Sequence, residues 1–312
     1  MSAEGGTRAI IAALAANLGI AATKFIAFLL TGSSSMLAES IHSVADSGNQ
    51  LLLLIGGKRA KRAATPDHPF GYGRERYIYA FIVSIVLFSL GGLFALYEAY
   101  HKWHEGGGIE EHAWVPIAVL VIAIGLESYS FRTAIKESNQ VRGNTSWVRF
   151  VRRAKAPELP VVLLEDFGAL IGLALALFGV SLTIITGDGV WDAIGTAGIG
   201  LLLVTIAVIL AIETKSLLIG EGANPEAVKQ IEQAVLNGAG VERIIHMKTL
   251  HLGPEELLVA MKIAVPRTES AEEVARHIDE TEVRIREAVP IARVIYIEPD
   301  IYRASAASPT PA

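Results

Sequence analysis

His42 and Asp46 stand four residues apart inside the apolar stretch Met36–Gly57. Four residues is about one helical turn, so an imidazole and a carboxylate leave the same face of one helix. An ionisable side chain at bilayer depth costs roughly 2.5–3.5 kcal/mol on insertion scales, which makes any such residue a functional candidate by default. An imidazole beside a carboxylate is half of a metal site. A second acidic pair, Glu165 and Asp166, lies in a later apolar stretch. Neighbouring residues are roughly 100° apart around a helix, so Glu165 reaches a site at Asp166 only from its edge. The combination points to a cation pathway.

These residues need a membrane frame to hold them. Of the 312 residues, 52% are hydrophobic, and the mean hydropathy is +0.43. That is high for a water-soluble domain and ordinary for a membrane protein with a soluble appendage. The chain has no cysteine, which excludes disulfides and thiolate metal sites. The net charge of −5 is mild and gives no reason to expect a nucleic-acid partner. Six apolar stretches stand near Arg8–Leu30, Met36–Ala60, Tyr77–Tyr100, Ala113–Ile135, Leu159–Thr186 and Val190–Ile212. At about 1.5 Å per residue each meets or approaches the ~30 Å of a bilayer core. The run Ala9–Leu30 is too long for the apolar region of a signal peptide and is expected to be a retained span.

The connections alternate in charge. Lys58, Arg59, Lys61, Arg62, Arg74 and Arg76 follow the second stretch; Lys136, Arg142, Arg149, Arg152, Arg153 and Lys155 follow the fourth. The other three connections carry only Lys102. The positive-inside rule then places both termini in the cytoplasm. After Glu213 the chain becomes charged and amphipathic. Pro225–Asn237 has helical periodicity, Val241–His251 and Glu256–Val265 alternate as strands around Gly253-Pro254, Ser270–Ala288 is a second helix, and Ala292–Glu298 is a last strand. Ser270 and Glu273 have the spacing of a capping box. The expected organisation is a six-helix transmembrane domain over 1–219, a cytoplasmic α+β, ferredoxin-like dimerisation domain over 220–303, and a disordered tail over 304–312.

Several segments together resemble the cation diffusion facilitator family. Asn17, Lys24, Thr31-Gly32-Ser33, Leu37 through His42, and Asp46 are similar to its first two helices. His68-Pro69-Phe70-Gly71-Tyr72-Gly73-Arg74 resembles its loop before the third helix, and Asp192 with Gly195, Gly198 and Gly200 resembles its sixth. Leu163-Leu164-Glu165-Asp166 and Ser216-Leu217-Leu218-Ile219-Gly220 are similar to a branch that includes mitochondrial zinc transporters. The resemblance implies a dimeric, proton-coupled exporter of divalent metals, with the ion held mid-membrane between the second and fifth helices. Zinc is the leading cargo, with manganese or another transition metal as alternatives, and no resident cofactor is implied. The implied ligands are His42, Asp46 and Asp166, with Glu165 or a water as the fourth. In zinc-selective members a histidine stands four residues before the Asp of the fifth helix; here that position is Val162. Fewer imidazoles shift a site toward oxygen-preferring metals.

Plainer roles compete at several positions. Asn17, Asn49 and Gln50 are expected as interhelical hydrogen-bond partners, and Glu165 could spend itself on Asn49 or Ser47. Glu127, mid-helix in the fourth stretch, is expected near the inner end and facing water rather than as a proton relay. Glu98 and Lys24 are expected to snorkel at the outer ends of their spans. His68 keeps one position of a second family site, but Tyr72 replaces a histidine there. His246 and Glu298 match two positions of a third, but Lys262 and Tyr296 stand at its others, so metal is not expected in either place. The rival function is a non-transporting scaffold or accessory subunit with a degenerate site. An enzyme is not expected: no HExxH and no GxSxG occurs. The expected location is a bacterial cytoplasmic membrane, and the expected partners are a second copy of the chain, lipid, divalent metal and protons.

Overall fold

Runs of apolar residues long enough to bury every backbone polar group in their own helix dominate the first two thirds of the chain. The computed structural model describes residues 2–31, 34–105 and 114–303. The tail 304–312 lies outside the described residues, and so does the side chain of His42. The chain divides into two units: Met1–Arg62 with Glu75–Lys215, and Ala63–Arg74 with Ser216–Ala312. The segment Ala63–Arg74, expected inside the membrane domain, groups with the C-terminal residues instead.

The first unit contains six long helical runs among the described residues. They are α1 (Ser2–Thr31), α2 (Ser34–Arg59), a third run of α3 (Glu75–Val86), a π-helical segment (Leu87–Leu93) and α4 (Phe94–Glu105), then α5 (Trp114–Arg142), α7 (Glu158–Thr186) and α8 (Val190–Ile219). The short helix α6 (Trp147–Arg153) joins α5 to α7. Among the described residues, five runs are long and apolar enough to cross a membrane: Gly6–Leu30, Glu75–His104, Trp114–Arg142, Glu158–Thr186 and Val190–Ile219. The expected second span is not among them. α2 has 26 residues, or about 39 Å, so length is sufficient. Its buried Ser40, Ser43, Ser47, Asn49 and Gln50 lower its hydropathy. The site candidates His42 and Asp46 weaken it as a lipid span in the same way.

Polar and apolar residues are distributed inside out. Leu30, Phe178, Ile185, Leu201 and Ile212 are exposed, whereas Glu127, Ser130, Glu165 and Asp166 are buried. That surface suits hydrocarbon rather than water. α2 packs between α1 and α3, and α1, α5 and α7 pack on one another. One apolar cluster, including Ile10, Leu53, Val83, Phe150, Val162 and Leu210, ties the helices together. α7 and α8 approach closely through small residues: a Cβ on Gly179 would lie 2.9 Å from the Trp191 carbonyl oxygen, and one on Gly195 would lie 3.0 Å from that of Leu175. Without a hydrophobic drive between helices in lipid, such backbone approach is what packs them. Gly187, in the left-handed region at φ 75°, ends α7.

The second unit has the expected order. α9 (Pro225–Leu236) starts at Asn224, whose side chain accepts the Ala227 N–H, with proline at the first turn. Strands β1 (Arg243–Gly253) and β2 (Glu256–Ala264) form an antiparallel hairpin, α10 (Ala271–Ala288) crosses over, and β3 (Ala292–Asp300) pairs parallel with β2. The sheet order is β1-β2-β3. The capping box at Ser270 and Glu273 is present. Ile231, Val235, Leu257, Val259, Ile263 and Ile285 form the core between sheet and helices.

Candidate metal centre

Glu165 and Asp166 follow the start of α7 by seven and eight residues, so they lie about 10–12 Å along the helix. Both are buried. Being adjacent, they face different neighbours. Glu165 turns to α2: Oε1 accepts from Asn49 Nδ2 at 2.9 Å, and Oε2 accepts from Gln50 Nε2 at 2.9 Å. Gln50 in turn accepts from Asn17 Nδ2 of α1 at 3.2 Å. One carboxylate and three amides thus join α1, α2 and α7. Asp166 turns to α5, where Ser130 Oγ donates to Oδ2 at 2.6 Å.

Glu127 lies three residues before Ser130 on α5 and is buried, which corrects the expectation that it faces water. It lies in electrostatic reach of Asp166, Asp46 and Lys24. Glu165 is in reach of Asp46, Asp166 and Glu127. Four acids on three helices therefore act on one another's charge, with Asp46 half-buried among them. Like charges gathered out of water are costly unless a cation or protons join them. Among the described residues, no three His, Asp or Glu side chains close on one point tightly enough to enclose a metal. The ring of His42, four residues before Asp46, lies outside the described residues. Val162, where the family histidine would stand, is fully buried in the apolar cluster with Leu159 and Leu163. It belongs to the packing and offers no donor.

Some polar residues of this unit escaped the reading of the sequence. Ser130 is one; its signal is the i, i+3 spacing from Glu127. The other is a buried ion pair between Arg76, at the start of α3, and Glu158, at the start of α7. Arg76 Nη2 donates to Glu158 Oε2 at 2.8 Å and Nε donates to Oε1. In the sequence Arg76 belongs to the basic run that orients the chain, and Glu158 shares the face of Glu165, seven residues on. Glu98 pairs with Lys102 at 3.3 Å, and Lys102 also meets Asp192 at 2.9 Å.

At the two other places where the resemblance offers a site, the side chains bond one another. His68 stacks on Tyr72 at 4.6 Å between ring centres, and Tyr72 shares a hydrogen bond with Thr65 Oγ1 at 3.0 Å. In the second unit Lys262 Nζ lies 2.8 Å from Glu298 and 3.3 Å from Asp300. The bonds to Glu298 and then Asp300 raise the ammonium above the usual lysine range. The Ile301 backbone N–H, then Lys262, hold Asp300 below the usual carboxylate range. An ammonium so placed satisfies the acid that a metal would need. His246 is exposed, while His251 is buried with Nδ1 3.3 Å from the Gly253 carbonyl oxygen, so the two occupy opposite faces of β1.

Residues 10–219 match the family model described as the cation efflux transmembrane domain. The human protein named "Proton-coupled zinc antiporter SLC30A9, mitochondrial" is 32% identical over 235 residues, which are 74% of this chain and 41% of that protein. "Metal tolerance protein C4" of Arabidopsis thaliana is 28% identical over 250 residues, 79% of this chain and 54% of that protein. "Manganese efflux system protein MneP" of Bacillus subtilis (strain 168) is 25% identical over 252 residues, 79% of this chain and 80% of that protein. The chain therefore spans about two fifths of the length of the mitochondrial relatives, in which the match covers 41%.

Proposed function

We propose that this chain, which belongs to the cation efflux family, carries divalent transition-metal ions across a membrane in exchange for protons. The observation that supports this most is the pair of buried amide bonds from α2 to Glu165. They hold Glu165 of α7 against the helix that bears His42 and Asp46, inside protein rather than against lipid. The ligands in this reading are His42, Asp46 and Asp166. Glu165, engaged by Asn49 and Gln50, supplies fixed charge at the edge of the site and enters the coordination sphere only by releasing an amide. α2 is the second of six spans, and the basic loops put both termini in the cytoplasm. The unit over 220–303, together with Ala63–Arg74, serves dimerisation.

Metal binding needs a neutral imidazole and ionised carboxylates, so loading the ion expels protons and protons returning expel the ion. Acids on α2, α5 and α7 tie that exchange to the relative positions of three helices. Zinc leads as cargo and manganese follows, as the names of the relatives suggest. The membrane in this reading is a bacterial cytoplasmic membrane. The test is metal uptake with simultaneous proton release in proteoliposomes. Wild-type protein is expected to couple the two, and His42→Ala, Asp46→Ala and Asp166→Asn to lose both. Full transport by Asp46→Ala would remove this site. The rival reading, a scaffold with a degenerate site, is favoured by Val162 in the apolar cluster. It predicts dimers that carry no metal at all.

A further inference from the structure

Asn49 is 1% exposed, and its Oδ1 is buried with no hydrogen-bond partner among the described residues. Its other end is committed: Nδ2 donates to Glu165 Oε1 at 2.9 Å. With Glu165 ionised, that bond sets the orientation of the amide, because an amide turned end for end would set two oxygens against each other. A buried acceptor without a donor is costly, and each one in a native structure asks for a ligand or a reason. Of its polar neighbours along α2, Ser47 Oγ donates to the Ser43 carbonyl oxygen at 3.0 Å and Gln50 Nε2 to Glu165. His42, Asp46 and Asn49 occupy positions i, i+4 and i+7, so they lie on one face of α2. An amide oxygen is a hard, neutral donor of the kind that manganese accepts more readily than zinc.

We propose that Asn49 Oδ1 is an oxygen ligand of the transported cation and sets how well manganese competes with zinc. This rests on the transport reading above and adds to it a residue that neither the acids nor the imidazole supply. In this role the amide oxygen adds a neutral oxygen donor to a site whose ligand set has one imidazole fewer, since Val162 offers no donor, at the cost of zinc preference.

The test is uptake of manganese and zinc, separately and in competition, by the purified full chain in liposomes at subsaturating metal. Asn49→Leu is expected to cut manganese uptake at least tenfold and zinc uptake less than threefold. Gln50→Leu, which strips Glu165 of its other amide alone, is expected to slow both metals equally and leave their ratio unchanged. If Asn49→Leu is not monodisperse by size exclusion, Asn49→Ala carries the comparison. An unchanged ratio in the Asn49 variants, or the same ratio shift in Gln50→Leu, overturns the ligand role while transport stands. Wild-type vesicles that carry neither metal would overturn the transport reading itself, and this inference with it.

Discussion

The Arg76–Glu158 pair allows a stability prediction with a definite size. Its side chains are 12% and 5% exposed, and the contact is two-pronged, so both charges are largely out of water. Removing one partner from such a pair leaves an uncompensated buried charge and costs about 3–5 kcal/mol. Replacing both by apolar residues of similar volume is neutral or stabilises by up to about 4 kcal/mol. Arg76→Met and Glu158→Met are therefore each expected to destabilise by that first amount, and the double variant to regain the loss. The coupling in the double-mutant cycle should be at least ~3 kcal/mol, well above the ~0–1 kcal/mol of a solvated pair. Reversible unfolding in mixed dodecyl-sulfate micelles, followed by far-ultraviolet circular dichroism, measures all four corners of the cycle. Single variants costing under about 1 kcal/mol, with an additive double, would show that water reaches the pair and would refute the reasoning.

Gly179→Ala should weaken the α7–α8 contact by about 1–3 kcal/mol, because its new methyl meets the Trp191 carbonyl, a backbone atom that cannot turn aside; the same micelle titration checks it. Ser130→Ala should leave the fold intact and slow metal uptake, since Asp166 loses the hydroxyl that orients it; an unchanged rate in vesicles would remove Ser130 from the site. Ser270→Ala should loosen the start of α10 by about 1 kcal/mol through loss of the capping box, read by hydrogen exchange of that helix. In the second unit, the backbone N–H of Ser270, and then its hydroxyl, hold Glu273 below the usual carboxylate range, and Asp300 is held below it by Ile301 and Lys262. A carboxylate lowered by folding stabilises the unit above its unfolded pKa, and that help is lost as pH falls through the folded one. Exchange protection of α10 and β3 should thus hold from pH 7 down to about 5 and decline below about 4. Protection that rises on acidification would contradict the sign.

The second unit was legible because its signals are local. Asn224-Pro225, Gly253-Pro254 and Ser270 with Glu273 each announce an element boundary through chemistry within a few residues. The long helices of the first unit were legible from apolar length alone, although α5 runs to Arg142 and α8 to Ile219, past the end of their apolar stretches. The polar residues that follow those stretches are helical by continuation, and hydropathy cannot register that. The site was half legible. The i, i+4 spacing of His42 and Asp46 and the pair Glu165–Asp166 flag it without any partner. The side to which each acid of α7 turns was not legible, because it depends on which helix packs where. The same holds for Glu127 and for Arg76–Glu158, whose roles come from burial and from partners 82 residues apart in the chain. The π-helical segment Leu87–Leu93 has no sequence signal that we can name.

The grouping of Ala63–Arg74 with Ser216–Ala312 has a mechanical meaning. A Cβ on Gly73 would lie 2.8 Å from the Leu252 carbonyl oxygen, so this loop rests on the β1–β2 turn backbone to backbone. The C-terminal unit is consequently tethered to the helices by three crossings of the chain rather than one, at the end of α2, at the start of α3 and at the end of α8. A fragment cut at Ser216 would be missing a strap of its own architecture, and a chain truncated there would keep a loop with nothing to lean on. Force applied to the second unit reaches the helix of His42 and Asp46 through covalent bonds.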